Sequence, residues 1–232
     1  MVRIVCVISL LLSLQLEAAQ QLVLVVAEEW ESTTAKLQRY VQNDGSFAAF
    51  GEAITVNLGR SGLGWGEGGP FVHNTDEPVK REGDGRAPAG IFRLGELFGY
   101  PASVQTKMPY RHATPDLVCI DDSGSKHYNR LVRLDGAMAI KSFEWMRRDD
   151  NLYELGVTVR HNEEQLKERG SCIFLHVEKG KDMPTSGCTS MPLASLKEIA
   201  SWLDPSAEPL LVQIPASYCG EVSRRFPGIS CP

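Results

Sequence analysis

Two short runs, Leu37–Val41 and Ser46–Phe50, flank the tripeptide Asn43-Asp44-Gly45. Asp-Gly between such runs is a strong hairpin signal, because a two-residue hairpin turn needs positive φ at both central positions and few side chains accept it. Strand-like segments recur along the rest of the chain. Leu22–Ala27 is a short apolar run, and Ala53–Gly59 alternates and reads as the strand after the hairpin. Asp116–Asp122, Gly156–Asn162, Ser171–Val177 and Pro209–Pro215 read as later strands. Gly59–Gly69 is dense in glycine and reads as a loop or a set of tight turns, and residues 83–90 (GDGRAPAG) as a second loop leading into Ile91–Gly95. Helical spacing is clearest in LASLKEIASWLD, where Leu193, Leu196, Ile199 or Ala200, and Leu203 recur at three- to four-residue steps until Asp204-Pro205 stops them. The expectation is one mostly β domain with a few short helices.

Composition narrows the function. The 232 residues are 43% hydrophobic and 23% charged, enough to bury a sizeable core. The net charge of −5 supplies no basic excess for binding nucleic acid, so no nucleic-acid partner is expected. Residues 1–19 place Arg3 before an apolar run, Ile4–Leu16, followed by Ala18 and Ala19. That is the layout of a cleaved secretory signal, with a run too short to span a bilayer, and it predicts export to the periplasm or cell envelope with no membrane span in the mature chain. Five cysteines follow it: Cys119, Cys172, Cys188, Cys219 and Cys231. An odd number in an oxidising compartment leaves at least one thiol unpaired. Cys219 and Cys231 share an irregular tail that a disulfide would close, whereas Cys119 and Cys172 are either paired or simply buried. Cys188 is the odd one.

The segment SCIFLHVEKGKDMPTSGCTSMP carries the chemistry. In a strand over Ser171–Val177, Cys172, Phe174 and His176 share one face. Cys188 follows His176 by twelve residues, through a loop whose Gly180 and Pro184 let it fold back. Cys172 lies about 13 Å along the strand from His176, out of its reach. A cysteine beside an imidazole is a route to a nucleophile, since an imidazolium neighbour depresses the thiol pKa. Amides around Gly187, Cys188 and Thr189 are candidates for stabilising an oxyanion. The alternative for the pair is a buried structural cysteine near a satisfied core histidine. The histidines at 73, 112, 127, 161 and 176 have no zinc-type spacing, so no metal site is expected.

The stretch His176 … Thr185-Ser186-Gly187-Cys188-Thr189-Ser190-Met191 resembles the active-site motif of YkuD-type L,D-transpeptidases. Gly83–Gly95 is similar to the glycine-rich element of that family, and Asn57–Gly66 and His127–Val132 are similar to segments of its exported branch. The resemblance covers roughly residues 55–215. It implies a β-sandwich or open-barrel catalytic domain over 55–215, N-terminal strands over 20–54 packing on it, and a tail over 216–232. It further implies Cys188 as nucleophile, His176 as general acid/base, peptidoglycan stem peptides as substrate, and no cofactor. Better-known members carry His-Gly-Cys-x-Arg, where this chain has Ser186 and Ser190. Recognition of the substrate carboxylate must therefore come from elsewhere. Ser186, Arg86, Arg130 and His161 are the substrate-binding candidates, with Arg133 and Arg160 as further arginines. Trp65 either stacks on a sugar ring or caps the core.

Three functions fit these residues. One is acyl transfer on stem peptides through a Cys188 thioester, giving 3–3 cross-links, or with water a carboxypeptidase. Another is the same thiol chemistry on a wall-attached peptide or protein bond. The last is a non-catalytic envelope-binding module.

Overall fold

The computed structural model describes residues 20–68, 71, 74–136 and 138–232. The expected export signal, Cys6 and His73 lie outside the described residues. Strand β1 (Gln21–Ala27) is buried along its whole length, as its unbroken Leu/Val run requires. It pairs antiparallel with β2 (Thr34–Asn43) and parallel with the last strand, so that Leu22 lies beside both Tyr40 and Leu210. The Asp44-Gly45 turn, with φ of 50° and 79°, joins β2 to β3 (Ser46–Asn57). Ser46–Phe50 and Ala53–Gly59 therefore belong largely to one strand rather than two. A register shift opposite Leu37–Arg39 lets the pair continue past the interruption at Gly51 and Glu52.

The glycine-dense stretch after β3 holds a short strand, β4 (Leu63–Trp65), paired with β5 (Ala87–Gly99). β5 thus begins inside GDGRAPAG. Pro88 is accommodated there because Gly64 lies opposite it and its carbonyl accepts a bond from Gln213 Nε2 (2.8 Å). β6 (Tyr110–His112) pairs with the far end of β5. β7 (Leu117–Cys119), β8 (Leu131–Arg133) and β9 (Glu144–Trp145) form a separate three-stranded sheet. β10 (Leu155–Val159), β11 (Phe174–Val177), β12 (Thr189–Met191) and β13 (Leu210–Pro215) complete the main sheet.

The main sheet runs β10-β11-β12-β3-β2-β1-β13-β5-β4, and β10 also pairs with β5. The sheet thereby curls into a barrel. The fold is mostly β with two short α-helices. Helix α1 (Leu193–Trp202) turns Leu196, Ile199 and Ala200 into the core. It ends at Trp202, and Asp204 caps the following 3-10 turn by accepting from Ser206 N–H (3.0 Å). The tail is helical where an irregular segment was expected: α2 (Cys219–Arg225) begins at one half of a Cys219–Cys231 disulfide. A second disulfide, Cys119–Cys172, ties the small sheet to the barrel just before β11. No described helix is long and apolar enough to cross a membrane.

Candidate active site

β11 and β12 run parallel, with Leu175 beside Thr189 and His176 beside Ser190. Residues in register across parallel strands share a face, so Phe174, His176 and Ser190 share one face and Cys188 enters it one position before β12. Phe174, Cys172, Cys188, Phe98 and Tyr153 form a small apolar cluster distinct from the main core. Strand β11 starts at Phe174 because Cys172, expected as a strand residue, takes a φ of +56°. Its side chain is held by Cys119, and its amide donates to Asn129 Oδ1 (2.9 Å).

The loop before Cys188 is folded by Thr185. Its hydroxyl donates to Cys188 O (2.6 Å) and accepts from Gly187 N–H (3.0 Å). The Thr185 backbone bonds Leu58 O and Arg60 N–H, docking the loop on the end of β3. Gly187 has φ +145°, and a Cβ there would lie 2.9 Å from Arg86 O, so only glycine fits between the loop and the start of β5.

Cys188 is the one free cysteine among the described residues and is buried. Its sulfur accepts from Phe174 N–H (3.3 Å) and donates to Cys172 O (3.5 Å). Burial pushes the thiol up to about 12, Glu144 adds to the rise, and the Phe174 amide and the charge of Lys80 oppose it. His176 is 6% exposed, and burial drives its ring down to about 4. Nδ1 sits 2.8 Å from Val177 O; a carbonyl can only accept, so Nδ1 carries the proton and Nε2 holds the free lone pair. The resting pair is thus a neutral thiol and a neutral imidazole. The expected imidazolium-depressed thiolate is not the ground state, because burial disfavours the charged form of each group.

Cys188 and His176 line a cavity of about 530 Å³ with Ser186, Ser190, Lys80, Glu82, Asp121, Glu144, Arg148 and Tyr153. Tyr153 stands edge-on to the His176 ring (centroids 5.4 Å apart) and donates to Glu144 Oε1 (2.6 Å). Glu144 is brought there by β9, whose backbone pairs with Cys119. Lys80, 3% exposed, donates from Nζ to Asp84 Oδ1 and Arg81 O, both at 2.6 Å. Asp84 also accepts from the amides of Arg81 (2.6 Å) and Arg86 (2.9 Å), so it folds the GDG turn around the lysine.

Several expected site residues lie elsewhere. The Arg86 guanidinium turns away to Leu63 O (2.7 Å). His161 and Arg130 line a different cavity of about 630 Å³, which Arg160 also borders and whose cysteine, Cys119, is consumed in a disulfide. Arg133 pairs with Asp116 (3.0 Å) on the small sheet. Gly187 N–H is already donated to Thr185, and Thr189 sits in the β11–β12 ladder with its hydroxyl on Gln213 Oε1 (2.7 Å), so neither is a free oxyanion donor. Of the proposed substrate-binding side chains, Ser186 alone borders the Cys188 cavity. Trp65 is a core residue, packed edge-on against Trp30 (5.2 Å) and Tyr218 (4.9 Å).

Lys80, Glu144 and Tyr153 went unread in the sequence. A lysine in the charged run Lys80-Arg81-Glu82 looks like solvated surface, and only the spacing to Asp84 hints at an internal pair. Among the described residues no group of three or more His, Cys, Asp or Glu is placed to hold a metal ion. A family model for the L,D-transpeptidase catalytic domain, YkuD, matches residues 25–214. No curated protein and no solved structure matches the chain.

Proposed function

The chain belongs to the YkuD family of L,D-transpeptidase catalytic domains, and we propose that it transfers acyl groups between peptidoglycan stem peptides through a thioester on Cys188. The observation that carries this reading is the one free thiol among the described residues, set on the same sheet face as an imidazole whose Nδ1 is held by Val177 O, both lining one cavity.

The chemistry follows from the two neutral groups. Cys188 turns from Cys172 O toward His176, and its proton moves to Nε2 as the sulfur attacks the carbonyl between an L-centre and a terminal D-alanine. Proton transfer and attack are coupled, because neither ion is stable alone in this cavity. The imidazolium, held by Val177 O, then gives its proton to the departing D-alanine amine, and the carbon–nitrogen bond breaks to leave the thioester. The side-chain amine of a second stem attacks the thioester, its proton passes to His176, and the thiol is re-formed with a 3–3 cross-link. Water in place of the amine gives the tripeptide.

This reading includes export to the cell envelope. It is supported by the composition of residues 1–19 and by two disulfides that need an oxidising compartment.

The test is mass spectrometry of the full chain incubated with a purified disaccharide-tetrapeptide, beside the Cys188→Ala variant. A cross-linked dimer lacking one D-alanine supports transpeptidation, and a tripeptide alone supports the carboxypeptidase. Products identical to those of Cys188→Ala overturn the stem-peptide assignment.

A further inference from the structure

When the Cys188 sulfur attacks a carbonyl, negative charge develops on the carbonyl oxygen, and a cavity that holds neutral groups must stabilise it. Of the amides expected to do this, Gly187 N–H is committed to Thr185 Oγ1 and Thr189 sits in the β11–β12 ladder, which leaves the Cys188 amide to share the charge with any cation nearby. His176 is occupied with the thiol proton at that moment. Three carboxylates, Glu82, Asp121 and Glu144, border the same space and oppose any anion.

Lys80 is the deeply buried cation that borders it. Its side chain is 4% exposed. Two of the three ammonium protons are used, on Asp84 Oδ1 and Arg81 O at 2.6 Å each, and one remains. The position of a Cβ at Gly187, the residue before the nucleophile, lies 3.8 Å from Nζ, and glycine leaves that space empty. Arg60 and Lys179 also border the cavity, but both are exposed and their charges are screened by water. Arg148 is engaged by Asp150 at 2.8 Å.

We propose that Lys80 is a catalytic residue of this site, whose remaining N–H donates to the oxyanion formed as Cys188 attacks, and that Asp84 is the residue that positions it. The proposal rests on Cys188 being the acyl-transfer nucleophile. It assigns a purpose to the GDG turn: Asp84 bonds two backbone amides and the lysine together, so the ammonium is pre-organised and needs no reorientation as charge develops. No bond to Lys80 forms or breaks in the step.

The test reads charge beside the sulfur without any stem peptide. Cys188 in the full chain is alkylated separately with iodoacetate and iodoacetamide, which differ by one negative charge, and the rates are followed by intact mass. The wild-type rate ratio of iodoacetate to iodoacetamide is expected to equal or exceed that of a free cysteine peptide, despite the three carboxylates. In Lys80→Met the ratio should fall about tenfold, and Lys80→Arg should keep most of it, in line with a buried cation bordering the cavity of the reacting atom. With a stem-peptide substrate, Lys80→Met should lower kcat about 100-fold and leave KM nearly unchanged.

A Lys80→Met ratio equal to wild type overturns the proposal. If that variant does not fold, Arg60→Gln/Lys179→Gln replaces it: an unchanged ratio supports Lys80, and a collapsed ratio assigns the charge to the surface cations and overturns the proposal. A Cys188 inert to both reagents fails the nucleophile reading itself, whereas a reactive Cys188 insensitive to residue 80 fails only the role of the lysine.

Discussion

The sulfur of Cys188 lies 3.5 Å from the carbonyl oxygen of Cys172, a residue whose own side chain is locked to Cys119. The proposed nucleophile is thus parked against backbone that a disulfide holds in a left-handed conformation, with φ +56°. Disulfide and free thiol are neighbours.

Removing that bond should therefore be felt twice. In the Cys119→Ala/Cys172→Ala variant, the 53-residue separation it closed implies a stability loss of about 4 kcal/mol, read from denaturant midpoints. Freed from its fixed carbonyl and better hydrated, Cys188 should alkylate faster at neutral pH while stem-peptide turnover slows. An alkylation rate equal to wild type would mean that the bond does not shape the thiol's surroundings.

The acid limb of activity should sit unusually low. Burial first, with the charge of Arg148 adding to it, holds the His176 ring at about 4, so it stays able to accept the thiol proton down to that pH. A kcat/KM profile should fall as pH drops through about 4 and not through the ordinary histidine value of about 6.5. A midpoint near 6.5 would mean that His176 is solvated in the working enzyme.

Stability should respond to the same protons, with the opposite partner favoured. His161, 1% exposed and edge-on to Phe92 (5.6 Å), is held at about 3 by burial and by Lys80. Both folded values lie below the unfolded one, so the unfolded chain binds protons that the folded chain refuses. As pH falls from about 6.5 toward about 4, each ring should cost about 1.4 kcal/mol per pH unit. His161→Leu should flatten this slope by roughly half, measured by urea unfolding at pH 7 and pH 5.

Thr185 and Gly187 should separate loop shape from chemistry. Thr185→Val loses the bonds to Cys188 O and Gly187 N–H, which should lower stability by about 1–2 kcal/mol and slow turnover, while Thr185→Ser keeps both. Gly187→Ala puts a Cβ 2.9 Å from Arg86 O at φ +145° and should be the more damaging change, by about 2–3 kcal/mol. Circular dichroism melts beside turnover rates would rank them.

What was legible in the sequence was local. The Asp44-Gly45 hairpin, the helix from Leu193 and the run at β1 follow from turn chemistry and periodicity, and the structure has all three. β5 was obscured because Ala87–Gly90 reads as loop until β4 and Gln213 are known to lie beside it. The charge state of Cys188 and His176 was out of reach for a related reason. Spacing brings two groups near each other, but whether they ionise depends on Glu144, Tyr153 and Lys80, supplied by distant segments. Lys80 itself is inside only because Asp84 and the Arg81 carbonyl meet it there.

The pairing of β1 with β13 sets the order in which the polypeptide can mature. Leu22 finds its parallel neighbour, Leu210, only after nearly the whole chain has been made, and β13 also carries β5 through Leu211 and Phe92. Loop-closure entropy delays such distant partners, so the middle of the barrel is the last part to close. A nascent chain still lacking residues 210–215 holds an unmated, wholly apolar strand near its N-terminus and cannot complete the barrel.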